Sequence, residues 1–92
     1  SSSAEAYLYF PGGFGTLDEF FEILTLVQTH KIPKVPIVLI GSDFWNPINE
    51  FIQKQLLEKN GVISPEDMNL YKIIDNEEEI IEIVKNAPLR KE

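Results

Sequence analysis

Apolar and polar residues alternate along the chain in blocks that predict strands and helices in turn. Residues 6–10 form a continuous apolar run, typical of a strand buried on both faces of a parallel sheet. Residues 35–40 and 71–74 are two further short strands, and helical spacing of apolar residues fills the intervals. The order strand, helix, strand, helix, short turn, strand, helix predicts an α/β fold with parallel strands and right-handed crossovers.

The first helix is predicted from Thr16 to about His30, and its apolar residues cover more than one stripe. We therefore expect it to be largely buried or to pack against a second partner on its other side. A second helix is expected to open at Asn46-Pro47, with Asn46 as its N-cap. Its predicted buried face consists of Ile48, Phe51, Ile52 and Leu56.

The C-terminal third of the chain carries two further helix signals. Ser64-Pro65 predicts a short helical turn, and Asp75-Asn76 predicts the cap of a last helix. The acidic run 77–79 falls in the first turn of that helix, where it complements the helix dipole rather than forming a metal site. The residues expected to face inward are Ile80, Ile81 and Val84.

Three strands amount to about half of a doubly wound sheet, and a sheet of that size leaves two bare edges. We therefore expect an N-terminal segment or another chain to complete it, so that residues 1–92 form a single partial domain. The chain begins Ser1-Ser2-Ser3 without Met, which favours a trimmed or proteolytic fragment. A natural start after processing is the alternative.

Composition narrows the classes of function. The 92 residues carry a net charge of −7, which would repel a nucleic-acid backbone, so no nucleic-acid partner is expected. With no Cys and one His, thiolate and multi-histidine metal sites and the usual catalytic triads are excluded. No apolar run approaches the roughly 20 residues of a membrane span, so we expect a soluble cytoplasmic protein without a membrane partner.

The segment Pro11–Glu19, with the sequence PGGFGTLDE, lies where a strand gives way to a helix. Glycines there allow a close approach of the backbone to a ligand, and the free N–H groups of a helix start attract anions. The pattern predicts a phosphate-binding turn at the carboxyl end of a parallel strand, where open α/β sheets bind ligands. It differs from the dinucleotide fingerprint and, lacking Lys, from the P-loop. A purely structural tight turn is the alternative.

Two roles are open for Glu19. Thr16 can cap the helix, and Thr16 to Glu19 fits the capping-box pattern S/T-x-x-E, which would stabilise the helix start. Alternatively, a carboxylate one turn from a phosphate anchor could stabilise positive charge at an anomeric carbon or activate water there.

The same segment resembles the P-G-G-x-G-T-x-x-E motif of the Lonely Guy family, the cytokinin riboside 5′-monophosphate phosphoribohydrolases long labelled lysine-decarboxylase-like. The likeness continues through residues 24–29, 36–40, 44–45 and 61–64, and so covers nearly the whole chain. It implies a Rossmann-like fold, usually dimeric, of which this chain would be the C-terminal half.

The resemblance also implies the reaction and its residues. Family members cleave the N-glycosidic bond of a nucleoside 5′-monophosphate, giving free base and ribose 5-phosphate, and no cofactor motif is visible here. Glu19 would then be catalytic, a role that can coexist with capping. The implied phosphate- and substrate-binding residues are Gly12, Gly13, Phe14, Gly15, Thr16, Asp18 and Thr25. The first helix would supply contacts of a homodimer or larger homo-oligomer, among them Phe20, Phe21, Leu24 or Val27.

One departure from the family limits this interpretation. The family's upstream Arg segment and N-terminal Gly-rich turn have no counterpart here, and Arg90 cannot be matched to the family Arg. We therefore expect the isolated chain to be inactive towards AMP-like nucleotides. A non-catalytic nucleotide-binding module and a remnant that completes an oligomer are the competing functions. Packing is the favoured role of Trp45, and His30 is expected to be a solvated residue at a helix end.

Overall fold

A computed structural model describes residues 6–87 of the chain, so Ser1–Ser3 and Arg90 lie outside the described residues. The 10-residue helix α2 continues directly into a wider π-helix. The elements in order are β1 (Tyr7–Tyr9), α1 (Phe14–Gln28), β2 (Ile37–Ile40), α2 (Ser42–Phe51), the π-helix (Ile52–Lys59), a 3₁₀ helix (Pro65–Asn69), β3 (Lys72–Ile74) and α3 (Glu77–Lys85).

The three strands form one parallel sheet in the order β1-β2-β3. Tyr7 pairs with Ile37, and Val38 pairs with Lys72, so the carboxyl ends of all three strands meet at one edge. This confirms the predicted α/β class with a Rossmann-like parallel sheet and flanking helices. In the sheet formed by residues 6–87, β1 and β3 are the outer strands.

The core is organised around the ring of Phe20, which is fully buried. It contacts Trp45, Tyr71 and Tyr9 edge-on, with ring centroids 5.3, 5.5 and 6.0 Å away. Such edge-to-face pairs join α1, α2 and the sheet into one hydrophobic unit. The packing role favoured for Trp45 is therefore confirmed. Within the described part of the chain, no helix is long and apolar enough to cross a bilayer.

Only one face of β1 is buried, so the burial of both faces predicted from its continuous apolar run is wrong. Tyr9 is buried in the core, whereas Leu8 is 38% exposed and Phe10, just after the strand, is 60% exposed. The reason is that the buried aromatic cluster lies on the side of Tyr9, while Leu8 points to the opposite face of an outer strand.

The inward face predicted for α3 is wrong at two positions. Ile81 and Val84 are exposed, and only Ile80 is half-buried among the three residues expected inside. α3 instead contributes Ile83 to an open cleft of about 350 Å³ that it shares with residues of β2 and β3. Sequence periodicity identifies the apolar side of a helix but not whether a neighbour covers it.

α2 begins at Ser42, not at Asn46-Pro47, and Pro47 lies inside the helix. Its N-cap is Gly41 in a left-handed conformation with φ of 105°, and the partner that fixes this start is Asp75, 33 residues away. The helix therefore starts where this long-range bond holds Ser42, not at the Pro47 favoured by local sequence. Pro47 lies inside the helix, where it lacks the N–H of a helical hydrogen bond. Phe51 is 58% exposed, so its predicted place in the buried face is also wrong.

Candidate active site

The turn of residues 11–16, here called the motif turn, joins β1 to α1 at the carboxyl edge of the sheet. α1 begins at Phe14 with Gly13 as N-cap, and among residues 6–87 no side chain caps it. The first hydrogen bond that closes the helix runs from the Leu17 N–H to the Gly13 carbonyl, at 3.2 Å. The N–H groups of residues 14–16 therefore have no partner within the helix and are available to an anion.

This geometry rules out the capping roles proposed from sequence. Thr16 and Glu19 both lie inside α1, whose N-cap position belongs to Gly13. Thr16 is therefore not the N-cap, and Thr16 and Glu19 do not form a capping box. The helix starts two residues earlier than predicted, because Gly13, in an extended backbone conformation, already serves as the N-cap.

The two long helices that start at this edge of the sheet differ at their N-termini. At α2, the carboxylate of Asp75 accepts hydrogen bonds from the N–H and the hydroxyl of Ser42, both at 2.7 Å. The bond from the Ser42 hydroxyl, and then that from the Ser42 N–H, hold the pKa of Asp75 below its ordinary 3.8. A carboxylate of the protein itself therefore occupies the N-terminus of α2. The start of α1 has no such internal anion among the described residues.

The glycines of the motif turn fall into two groups. A Cβ on Gly12 would come within 2.9 Å of the Thr16 Cβ and would overlap the Thr16 hydroxyl oxygen, so the fold itself requires glycine there. A Cβ on Gly13 or Gly15 would meet no described atom within 4 Å, and neither residue has a positive φ. The fold does not need glycine at these two positions, and their lack of side chains leaves open space over the helix start.

Glu19 lies one turn beyond Gly15 on the same face of α1, about 6 Å further along the axis. Its side chain is exposed, as is that of Asp18, and the roles of both in the site stay predictions. The hydroxyl of Tyr9 lies 3.5 Å from the Glu19 backbone carbonyl, to which it donates a long hydrogen bond. Burial and then the charge of Glu19 raise the pKa of Tyr9 to about 12, so this phenol stays protonated at neutral pH.

Phe14 is the first residue of α1, and its side chain is 92% exposed between the two open glycines. Its role in ligand binding stays a prediction. Thr25 is ten residues beyond Gly15, about 15 Å along the helix, and its hydroxyl donates to the Phe21 carbonyl at 2.7 Å. The structure therefore does not bring Thr25 to the motif turn, and its binding role stays a prediction.

His30 and Trp45 lie away from the candidate site. His30 is exposed in a left-handed conformation with φ of 63° just after α1, at the end opposite to the motif turn. Its N–H and that of Lys31 bond back to the carbonyls of Val27 and Leu26, at 3.1 and 2.8 Å, which closes the helix. Trp45 is fully buried against Phe20.

Sequence reasoning missed the group formed by Gly41, Ser42 and Asp75 at the ends of β2 and β3. A glycine and a hydroxyl residue directly after an apolar strand are the signal that could have drawn attention to Gly41 and Ser42. No local pattern pairs Ser42 with Asp75, because the pairing depends on the neighbouring placement of β2 and β3.

Comparison with known proteins extends over most of the chain. The family model described as "possible lysine decarboxylase" matches residues 1–84. A cytokinin riboside 5′-monophosphate phosphoribohydrolase of Arabidopsis thaliana is 34% identical over 79 residues, which are 85% of this chain and 35% of that protein.

Two further relatives carry the same description in their names. A probable cytokinin riboside 5′-monophosphate phosphoribohydrolase of Oryza sativa subsp. japonica is 32% identical over 80 residues, 86% of this chain and 32% of its own length. A cytokinin riboside 5′-monophosphate phosphoribohydrolase of Rhodococcoides fascians is 33% identical over 61 residues, 66% of this chain and 30% of its own length. The chain thus spans about a third of the length of the curated relatives it matches. From the match over residues 1–84, the α/β fold and the motif turn, the chain belongs to the lysine-decarboxylase-like Lonely Guy family.

Proposed function

We propose that this chain is the phosphate-binding part of a nucleoside 5′-monophosphate phosphoribohydrolase. The enzyme would hydrolyse the N-glycosidic bond of AMP or a cytokinin riboside monophosphate to free base and ribose 5-phosphate. The observation that carries the proposal is the open N-terminus of α1, with Gly13 and Gly15 free of neighbouring atoms. The names of the relatives supply the reaction.

The proposed mechanism begins with the 5′-phosphate on the N–H groups of residues 14–16, where the helix dipole and the unpaired donors favour an anion. The ribose then extends along the face of α1 that carries Glu19. As the bond from C1′ to the base breaks, positive charge develops on the ribose, and the Glu19 carboxylate stabilises it. The base leaves with the bonding electrons and takes up a proton from solvent, while water adds to C1′ and gives a proton to Glu19, which then returns it to solvent.

We further propose that this chain is the C-terminal half of the enzyme's Rossmann-like domain. Its coverage of about a third of the relatives, the outer position of β1 and the exposure of Leu8 and Phe10 support a missing partner on that side. The partner segment would complete the base and ribose pocket and supply the family's Arg. The isolated chain would then fail to turn over AMP. The cytoplasmic location expected from the sequence stays a prediction.

We also propose a homodimer, with a revised interface. Phe20 and Val27 are buried in the chain's own core and cannot be contacts. Phe21, which is 38% exposed, and the half-buried Leu24 line a shallow cleft of about 110 Å³ between α1 and the π-helix, and we propose them as the contacts.

A non-catalytic nucleotide-binding module is the second candidate function. The observation that favours it is that, within residues 6–87, no hydrogen bond orients the Glu19 carboxylate, whereas catalytic carboxylates are usually held by neighbours. The motif turn would then hold a phosphorylated ligand without cleaving it.

The deciding experiment incubates the complete gene product with AMP and follows adenine and ribose 5-phosphate by chromatography. Adenosine, which lacks the phosphate, is the matched control substrate. The proposal expects equal amounts of the two products from AMP and almost none from adenosine. Binding of AMP without release of adenine supports the binding module, and failure to bind AMP contradicts both functions.

A further inference from the structure

We propose that Asp75 is a positioning residue for the phosphate-binding turn, acting through Ser42 and Gly41 on Pro11. The inference rests on the proposed function, in which the motif turn binds the substrate phosphate. It concerns residues outside the motif, at the carboxyl ends of β2 and β3.

The first link is the pair of hydrogen bonds by which Asp75 holds the turn between β2 and α2. One carboxylate oxygen accepts from the Ser42 N–H and the other from the Ser42 hydroxyl, both at 2.7 Å. In addition, the Gly41 N–H donates to the carbonyl of Ile74, the residue before Asp75, at 3.4 Å. Charge-assisted bonds of this length are the strong ones, so the position of Ser42 follows that of Asp75.

The second link joins this turn to the motif turn. Gly41 has φ of 105°, and a Cβ placed on it would lie 3.1 Å from Pro11 Cγ, a closer approach than most real Cβ atoms make. The absence of a side chain therefore lets the backbone of Gly41 lie directly against the ring of Pro11. Pro11 opens the motif turn, and its ring restricts the direction in which the chain leaves β1.

Together the links form a row across the carboxyl edge of the sheet, from Asp75 after β3 through Gly41 and Ser42 after β2 to Pro11 after β1. Without the Asp75 carboxylate, the turn of Gly41 and Ser42 keeps only the 3.4 Å bond from the Gly41 N–H to the Ile74 carbonyl, so it is held less firmly against Pro11. The N–H groups of the motif turn then lose the support that fixes their direction, and small displacements at an anion site reduce binding strongly.

Asp67 provides a matched control, because it is also an aspartate that caps a helix start. Its carboxylate accepts from the Ser64 N–H and from the Gln28 side-chain amide, both at 2.9 Å. Gln28 is the last residue of α1, so Asp67 acts at the end of that helix opposite to the motif turn. Loss of either aspartate removes a cap, but only Asp75 is connected to Pro11.

The test compares Asp75→Ala, Asp75→Asn and Asp67→Ala in the complete gene product, with ribose 5-phosphate as the calorimetric probe and AMP as substrate. Asp75→Ala is expected to weaken ribose 5-phosphate binding and raise KM for AMP about tenfold. Asp75→Asn should restore most of the affinity, because an amide oxygen still accepts from the Ser42 N–H. Asp67→Ala should lower the melting temperature comparably and leave the affinity unchanged.

Equal affinities of the Asp75→Ala and Asp67→Ala variants would overturn the positioning role. Hydrogen exchange of the Leu17 amide, which donates to the Gly13 carbonyl of the motif turn, separates this outcome from failure of the proposed function. Faster exchange there in Asp75→Ala alone supports the link between Asp75 and the motif turn even if the wild-type protein cleaves no AMP. Unchanged exchange in that variant contradicts the link whatever the enzyme activity is.

Discussion

The side chain of Thr16 lies directly against the backbone of Gly12, where an added Cβ would come within 2.9 Å of the Thr16 Cβ. Gly12 is therefore required by the internal packing of the motif turn. Gly15, three residues along, has no described atom within 4 Å of the same position. The two glycines thus serve different purposes, and substitutions distinguish them.

Gly15→Ala is expected to change stability and ligand affinity in opposite directions. Alanine in place of a helical glycine raises the free energy of unfolding by up to about 1 kcal/mol, since Gly15 has room for a methyl group. The same methyl group intrudes on the space over the N–H groups and should weaken ribose 5-phosphate binding roughly tenfold. Urea unfolding and calorimetry measure the two effects.

Gly12→Ala is the control for that substitution. Its Cβ overlaps Thr16, so both stability and affinity should fall. If Gly15→Ala binds ribose 5-phosphate as well as the wild type, the helix start is not the phosphate site.

Glu19→Gln is expected to remove turnover without affecting folding. Because Glu19 takes no part in capping α1, loss of its charge should leave the melting temperature nearly unchanged. If its carboxylate acts at the ribose, release of adenine from AMP should fall roughly 10²–10⁴-fold. Glu22→Gln, an exposed glutamate nearly one turn further along α1, is the matched control and should retain full activity. Comparable activity of the two variants would reject the catalytic role of Glu19.

Phe21→Glu is expected to disrupt the homodimer of the complete gene product. A charge at position 21, in the cleft between α1 and the π-helix, would have to be buried between the two subunits, which is costly when it is unpaired. Phe51→Glu is the control, since Phe51 is a more exposed phenylalanine on α2 outside this cleft. Light scattering should show a monomer for the first variant and a dimer for the second, and the reverse result would place the interface elsewhere.

The carboxylate of Asp67 is expected to make stability depend on acid pH. The hydrogen bond from the Ser64 N–H, followed by that from the Gln28 amide, lowers the pKa of Asp67 below 3.8 in the folded protein. A lowered folded-state pKa adds stability above the unfolded-state pKa, and this stability is lost as the pH falls through the folded-state value.

The measurement is urea unfolding of the wild type and Asp67→Asn at about pH 6 and about pH 2.5. At the higher pH, the wild type should have a larger free energy of unfolding than Asp67→Asn. This difference between the two proteins should shrink at the lower pH. A difference that stays constant across this range would show that the charge of Asp67 contributes nothing.

The sequence determined the α/β class and the place of the motif turn. Continuous apolar runs and helical spacing depend on short-range chain geometry, so the three strands, α1 and α3 begin within two residues of where the pattern predicts them. The cap of α3 follows the same logic, because the Asn76 side chain accepts from the Glu79 N–H, at 2.9 Å, only three residues away. The nine-residue motif likewise carried the family resemblance in local sequence alone.

Tertiary structure decided the features that depend on residues far apart in the chain. The start of α2 is set by Asp75, which directly follows β3, and the local Asn46-Pro47 signal was therefore misleading. The exposure of Phe51 and Ile81 depends on which faces receive a neighbour, which periodicity does not contain. The open state of the α1 N-terminus and the contact of Gly41 with Pro11 arise because parallel pairing brings the carboxyl ends of three strands to one edge.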